Sequence, residues 1–215
     1  MKIVCFVPIK LNSQRLPNKM LLPLGDKLLF QHIFNTLLDV KKTIEIDIYC
    51  FCSDETLREK IPEGIKFLKR DSELDKDETL GIQIYNSFVN QIEADIYMLC
   101  HATSPFIKSE SIINGIKKII NEGYDSALSV TKIQTFCWYD NKTLNYELTN
   151  VVRTQDIKPV YYETSAFYIF KSEILKTHKR RIGFKPYLVI TDKIEGIDID
   201  EKEDYDLAKN IINNS

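Results

Sequence analysis

No run of about 18 uninterrupted apolar residues occurs in the sequence, so no segment reads as a membrane-spanning helix. Neither sign of charge is in excess: 29 Lys and Arg face 31 Asp and Glu, for a net charge of −2. That balance excludes the broad basic footprint of a nucleic-acid or anionic-membrane binder, while leaving room for a local basic pocket around a phosphorylated small molecule. Glycine is scarce, seven in 215 residues, with none before Gly25 and no Gly-Lys-Ser/Thr anywhere, which excludes a Walker phosphate loop. The five cysteines, Cys5, Cys50, Cys52, Cys100 and Cys137, are odd in number and lack the paired spacing of a zinc site. They read as small buried hydrophobes in a reducing compartment. The apolar opening Met1–Pro8 is too short for a secretory leader and runs into a basic polar loop, not a small-residue cleavage site. It reads as a first strand, and cytoplasm is the expected location. Repeats and low-complexity linkers are absent, and the length fits one domain with at most a small insertion.

What is present is an alternation of strands and helices. Strands are expected at Ile3–Val7, Ile44–Phe51, Lys66–Leu68, Ile96–Cys100 and Ala127–Thr131, from their short β-branched or apolar runs. Helices are expected at Leu28–Leu38, after Ser53-Asp54-Glu55 up to Pro62, at Glu78–Ile92 and at Ser109–Asn121, which stops at Gly123. From about Lys132 to Tyr162 the period is lost, and the segment reads as an excursion of hairpins and loops. A strand at Ala166–Phe170, a helix near Ser172–His178, a strand near Tyr187–Ile190 and a last helix from Glu201 follow. This order predicts a three-layer α/β domain with a mostly parallel sheet. In such sheets the ligand sits beyond the carboxyl ends of the strands, here the loops after Val7, Phe51, Cys100 and Thr131.

The loop Pro8–Lys19 carries Lys10, Arg15 and Lys19 with polar residues between them. Cations converging at a strand's carboxyl end suit the anionic oxygens of a triphosphate, and a solvated basic loop is the alternative. In Ile197-Asp198-Ile199-Asp200, an extended backbone would put both carboxylates on one face about 7 Å apart. Such a pair can hold Mg²⁺ beside phosphates. The alternative is that Asp200 caps the last helix, with Glu203 at the capping-box position. Leu99–Pro105 is an apolar strand breaking into small polar residues, where His101 is either a substrate contact or a structural histidine.

These segments resemble, over essentially the whole length, the cytidylyltransferases that activate acidic sugars, the CMP-sialic acid and CMP-Kdo synthetase family. The first loop is similar to that family's P-A-R-x-x-S-x-x-x-P-x-K signature at Pro8, Lys10, Ser13, Pro17 and Lys19, and Arg15-Leu16-Pro17 resembles the Kdo branch. Thr103-Ser104-Pro105 and Ile197–Asp200 resemble the T-S-P and I-D-I-D of the sialate branch. Arg70–Asp77 and Arg153–Ala166 are weaker matches, to R-P-x-x-L-A-x-D and R-x-Q-D-L-x-P-V-Y-x-E-N-G-A. The departures are Lys10 for Arg, Leu11-Asn12 for Gly-Gly, His101 for Gln, Thr164-Ser165 for Asn-Gly, and Gly81 where Ser or Thr often lies near the base.

The resemblance implies a Rossmann-like three-layer nucleotidyltransferase domain over residues 1–215, with an excursion at about 133–162 that makes a homodimer. Trp138, Tyr139, Tyr161 and Tyr162 would suit that interface or, alternatively, pack within one chain. It implies transfer of CMP from CTP to an acidic, sialic-acid-like sugar with release of pyrophosphate, a step towards surface polysaccharide, with Mg²⁺ as cofactor. Pro8, Ile9, Lys10, Ser13, Lys19, Arg70 and Thr103 would meet the nucleotide. Lys10, Arg15 and Lys19 would offset charge on the leaving group, and Asp198 and Asp200 would hold the metal. His101, Arg153, Gln155, Thr164 and Ser165 would line the acceptor pocket. The rival readings are a cytidylyltransferase for a phosphonate or polyol phosphate, and a catalytically silent nucleotide-binding protein.

Overall fold

The computed structural model describes residues 1–214. Its centre is a seven-stranded sheet of β1 (Ile3–Ile9), β4 (Asp47–Cys52), β5 (Lys66–Lys69), β6 (Ile96–Cys100), β7 (Ser126–Ile133), β10 (Val160–Lys171) and β11 (Pro186–Thr191). The spatial order is β11-β7-β10-β6-β1-β4-β5. The β4, β5 and β6 strands run parallel to β1 or to one another, and β11 runs parallel to β7, whereas β10 is antiparallel to both its neighbours. Two short hairpins, β2 (Pro23–Leu24) with β3 (Lys27–Leu28) and β8 (Trp138–Tyr139) with β9 (Lys142–Thr143), lie outside the sheet.

Both faces of the sheet are covered, which is why its strands read as continuous apolar runs. Alternate residues of β1 go to opposite sides: Ile3, Cys5, Val7 and Ile9 join one core, Val4 and Phe6 the other. Helices α1 (Leu29–Thr43) and α3 (Ser109–Glu122) close the first. Their buried positions, Phe30, Ile33, Phe34, Leu37 and Ile112, Ile116, Ile119, recur at helical spacing. Helices α2 (Gly81–Val89) and α4 (Ser172–Lys176) close the second, where the Phe88 ring stacks on Phe6 at 4.4 Å. The last helix, α5 (Lys202–Asn213), packs Tyr205 and Ala208 with Leu16, Leu24 and Ile199 in a third, smaller cluster. The three layers expected from the sequence are therefore present.

Some boundaries differ. Helix α2 starts at Gly81, not Glu78, because residues 76–79 form a turn with Thr79 N–H on the Lys76 carbonyl. Strand β10 begins six residues before Ala166, and its exposed Tyr161 and Tyr162 and a bulge between Glu163 and Tyr168 hide it from pattern reading. With β7 reaching Ile133, the excursion shrinks to residues 134–159. The segment 55–60 is a 3-10 turn capped by Asp54, whose side chain accepts from Thr56 N–H. Cys5, Cys50, Cys52 and Cys100 are free and buried, and burial pushes the Cys5 thiol well above its ordinary range.

Candidate active site

Strand order reverses between β1 and β6, so the loops leaving their carboxyl ends diverge and open a crevice. The loop after β1 lines a cleft of about 480 Å³ with Pro8, Lys10, Asn12, Ser13, Gln14, Arg15, Lys19 and Asp77. Its cations are held from two sides. Lys10 Nζ pairs with Asp77 Oδ1 at 2.6 Å, and Gln14 Nε2 donates to the other oxygen of that carboxylate. Arg15 Nη2 lies 2.9 Å and Lys19 Nζ 3.0 Å from Asp200 Oδ1, and Lys19 also donates to the Ile199 carbonyl at 2.8 Å. Lys19 is buried and Arg15 exposed.

The aspartate segment is fixed by its flanks. Glu195, in the loop after β11 and buried against the start of α3, accepts from Ser111 Oγ at 2.7 Å and pairs with Lys108 at 3.2 Å. Gly196 is required there, since a Cβ would lie 2.5 Å from Thr131 Oγ1. Ile199 N–H donates to the Thr103 carbonyl at 2.8 Å, and Ile199 is buried under the loop, turning Asp198 and Asp200 the other way. The capping alternative for Asp200 is corrected: Asp204, not Asp200 or Glu203, serves the start of α5, its carboxylate accepting from the N–H groups of Asp200 at 3.0 Å and Glu201 at 2.9 Å. The Asp200 carboxylate is left to the loop cations.

The two carboxyls differ in charge balance. Burial raises the Asp198 pKa, with Asp200 adding to that, although a Thr103 hydrogen bond and Lys19 oppose it. Burial also pushes Asp200 up, but the Lys19 hydrogen bond and charge, with Arg15, outweigh it and hold Asp200 below its usual range. Asp198 Oδ1 is buried without a hydrogen-bond partner among the described residues. No group of three or more His, Cys, Asp and Glu side chains is arranged to hold a metal among those residues. A carboxylate pair with one orphaned oxygen, tied through Asp200 to two cations of the cleft, nevertheless fits a Mg²⁺ that takes its other ligands from phosphate and water.

The remaining candidates divide. Arg70 is buried beneath the loop, where Nη2 donates to the Ile9 carbonyl at 3.0 Å and pairs with Asp75, while its Nε has no partner among the described residues. With Ser53, Lys69, Asp71 and Ser72 it lines a second hollow of about 500 Å³ beyond β4 and β5. His101 is half-buried beside the Tyr168 ring at 6.2 Å; burial lowers its pKa to about 4, with the Arg181 charge adding and Asp200 opposing. Thr164 is buried with its hydroxyl on Ser129 Oγ at 2.8 Å, so it builds the wall instead of presenting that hydroxyl. Ser165 has φ 60°, the left-handed region that favours glycine. Arg153 and Gln155 are exposed on the turn Thr154–Asp156 and its flank, with Arg153 Nε on Asp156 at 2.7 Å. No hydrogen bond or ion pair links either to Asp198, Asp200 or the first loop among the described residues. Asp75 and Asp77, the anions that hold Arg70 and Lys10, were legible only as parts of an Arg70–Asp77 match. Trp138, Tyr139, Tyr161 and Tyr162 are exposed.

A doubly covered α/β sheet, with a cationic loop and a carboxylate pair meeting at its switch point, defines a nucleotidyltransferase-like domain. The family model described as cytidylyltransferase matches residues 4–214, and the chain belongs to that family. It is 24% identical over 214 residues to the N-acylneuraminate cytidylyltransferase of Streptococcus agalactiae serotype III (strain NEM316), covering 95% of this chain and 52% of that one. It is 25% identical over 224 residues to the N-acylneuraminate cytidylyltransferase of Escherichia coli O18:K1:H7, covering 96% and 51%. The chain thus spans about half the length of these curated relatives. Among solved structures, CMP:2-keto-3-deoxy-manno-octonic acid synthetase complexed with CTP superposes with a TM-score of 0.73 at 16% identity, over 100% of this chain and 99% of that one. The 4-diphosphocytidyl-2C-methyl-D-erythritol synthase of Anaerococcus prevotii gives 0.67 at 13%, over 99% and 98%. These two likenesses carry the fold. No helix among the described residues is long and apolar enough to cross a membrane.

Proposed function

We propose that the chain transfers CMP from CTP to an acidic, sialic-acid-like sugar and releases pyrophosphate. The observation that carries this reading is the meeting of Arg15 and Lys19, which line the loop cleft, with Asp200, two residues from the orphaned oxygen of Asp198. The triphosphate enters that cleft, and Lys10, Arg15 and Lys19 exchange carboxylate partners for phosphate oxygens. The acceptor's anomeric hydroxyl gives up its proton to solvent and attacks the α-phosphorus in line, the P–O bond to pyrophosphate breaks, and the cations offset the charge that builds on the leaving group. Buried Lys19, anchored on a backbone carbonyl, is already placed for this and needs little reorganisation. Arg70 holds the loop's base through the Ile9 carbonyl, and its free Nε suits a carbonyl of the cytosine. Asp198 and Asp200 would hold Mg²⁺, which would supply Lewis-acid polarisation of a phosphate when bound. No covalent enzyme intermediate is needed. His101, Thr164 and Ser165 shape the acceptor side, with Arg153 and Gln155 reaching it from the excursion, and the exposed aromatics of that excursion pair two copies of the chain.

The acceptor differs from ordinary N-acetylneuraminic acid. The neutral His101 ring offers one donor and one acceptor where a Gln amide offers two donors and an acceptor, and an unpaired buried polar group costs about 1–3 kcal/mol. The test is pyrophosphate release with CTP, UTP, ATP or GTP over N-acetylneuraminic acid, Kdo, diacetamido-nonulosonates, a phosphonate and a polyol phosphate. CTP with a diacetamido-nonulosonate is expected to be fastest. Release only with a phosphonate or polyol phosphate overturns the acceptor class, and CTP binding without release overturns the enzyme reading.

A further inference from the structure

One cation near the cleft belongs to none of the ion pairs around Asp200. Arg181 lies in the loop between α4 and β11, within the basic run His178-Lys179-Arg180-Arg181. Its guanidinium carbon sits 3.8 Å from the centroid of the Tyr168 ring. Nη1 donates to the Tyr85 hydroxyl at 3.2 Å, and Nη2 faces Glu163 Oε2 at 3.4 Å. Tyr168 donates its own hydroxyl to the same Glu163 oxygen at 2.6 Å. Tyr85 reaches this position over Gly81, where a Cβ would lie 2.8 Å from the Tyr85 hydroxyl. The loop, α2 and β10 thus fix the guanidinium in plane and at two edges, while a third of the side chain stays open to solvent. A flat fork held this way with donors to spare recognises planar oxygen groups, and Glu163 beside it, itself 44% exposed, accepts hydroxyl or amide N–H groups.

The cluster adjoins His101, one of the residues proposed for the acceptor. His101 packs edge-on against the same Tyr168 ring that Arg181 covers. The imidazole also lies within electrostatic reach of both Arg181 and Asp200. His101 is thus a common neighbour of the guanidinium and Asp200, while Arg181 itself pairs with Glu163 and Tyr85 and not with the carboxylate pair.

We propose that Arg181 and Glu163, on the Tyr168 ring, form a subsite for the polar substituents of the acceptor far from its reacting carbon: Arg181 binds an acyl carbonyl, and Glu163 the amide N–H or hydroxyl beside it. The subsite rests on the acidic-sugar reading above and selects amidated nine-carbon acids over shorter, unamidated ones. The experiment is steady-state pyrophosphate release by the unaltered chain, Arg181→Gln, Arg181→Lys and Glu163→Gln, with CTP and either a diacetamido-nonulosonate or Kdo. Arg181→Gln is expected to raise the KM for the diacetamido-nonulosonate by about 10- to 100-fold, to change that for Kdo by less than about threefold, and to leave the KM for CTP unchanged. Arg181→Lys keeps the charge without the fork and is expected to retain most of the defect. It also serves should the Gln variant not fold. Equal losses for both acceptors, or a matching loss in CTP affinity, would mean a structural role and overturn the subsite while leaving the function intact. No release by the unaltered chain with either acid overturns both.

Discussion

Replacing Lys19 with Met asks how much of the site rests on one buried charge. Methionine keeps the length of the apolar stem but removes the ammonium and its bonds to Ile199 O at 2.8 Å and Asp200 Oδ1 at 3.0 Å. Breaking a fully buried ion pair costs about 3–5 kcal/mol. Here the Asp200 side chain is 38% exposed, so water screens it, and Arg15 still holds the same oxygen. What remains is one charge-assisted bond, weakened by that screening, and one carbonyl left short of a donor, about 2 kcal/mol together at pH 7. The pH dependence follows from Asp200. Burial alone would raise its pKa, but Lys19 and Arg15 depress it below its usual value. A carboxylate depressed by folding contributes stability above its unfolded pKa of about 4, and that contribution is lost as pH falls through the lower folded value. Urea unfolding of both chains without nucleotide, at pH 7 and at pH 3, measures it. The deficit of Lys19→Met should fall from about 2 to about 1 kcal/mol. An equal deficit at both pH values would refute the charge pairing and leave Lys19 a packing residue. Turnover should drop by about 10²-fold if the charge also serves the leaving group.

Asp198→Asn should abolish turnover yet leave or slightly raise the urea midpoint of the free protein. Folding raises the Asp198 pKa, so its ionised form costs stability at neutral pH and a neutral amide removes that cost. Near-normal rates at saturating Mg²⁺ would end its assignment to the metal. With its pKa near 4, His101 stays neutral from pH 5.5 to 8. kcat/KM should show no limb near pH 6.5, and such a limb, lost in His101→Gln, would contradict the assigned burial. Ser165→Gly should stabilise by about 0.5–1 kcal/mol, the left-handed cost of a side chain less the entropy of glycine. A lower melting temperature would mean that the Ser165 hydroxyl, 3.3 Å from Tyr168, matters more than the backbone.

Much of the frame was legible because burial on both sheet faces writes itself as apolar runs, as at Ile96–Cys100, and helix faces write a period, as at Phe30, Ile33, Phe34 and Leu37. Strand direction leaves no such trace. Nothing in Val160–Lys171 distinguishes a strand running against its neighbours, and its opening half carries exposed tyrosines that pattern as loop. At the site, cations in the first loop and alternation in Ile197–Asp200 were readable since both depend on local spacing. Their pairing was not: Lys19 meets Asp200 across 181 positions of chain. Arg181 was hidden for a different reason. A run of basic residues reads as solvated surface, and only the fold lays one of them on Tyr168.

The reversed course of β10 has one further consequence. Because it alone runs against the sheet, its first residues lie on the rim where β1 and β6 end, so the 134–159 excursion feeds directly into Glu163 and Ser165. The loop proposed to take the triphosphate belongs to the other half of the sheet, built on β1, β4 and β5. On the proposed function, changes in length or composition of the excursion retune the acceptor side while leaving the donor half unaltered, and a chimera exchanging residues 134–165 is expected to carry acceptor preference with it.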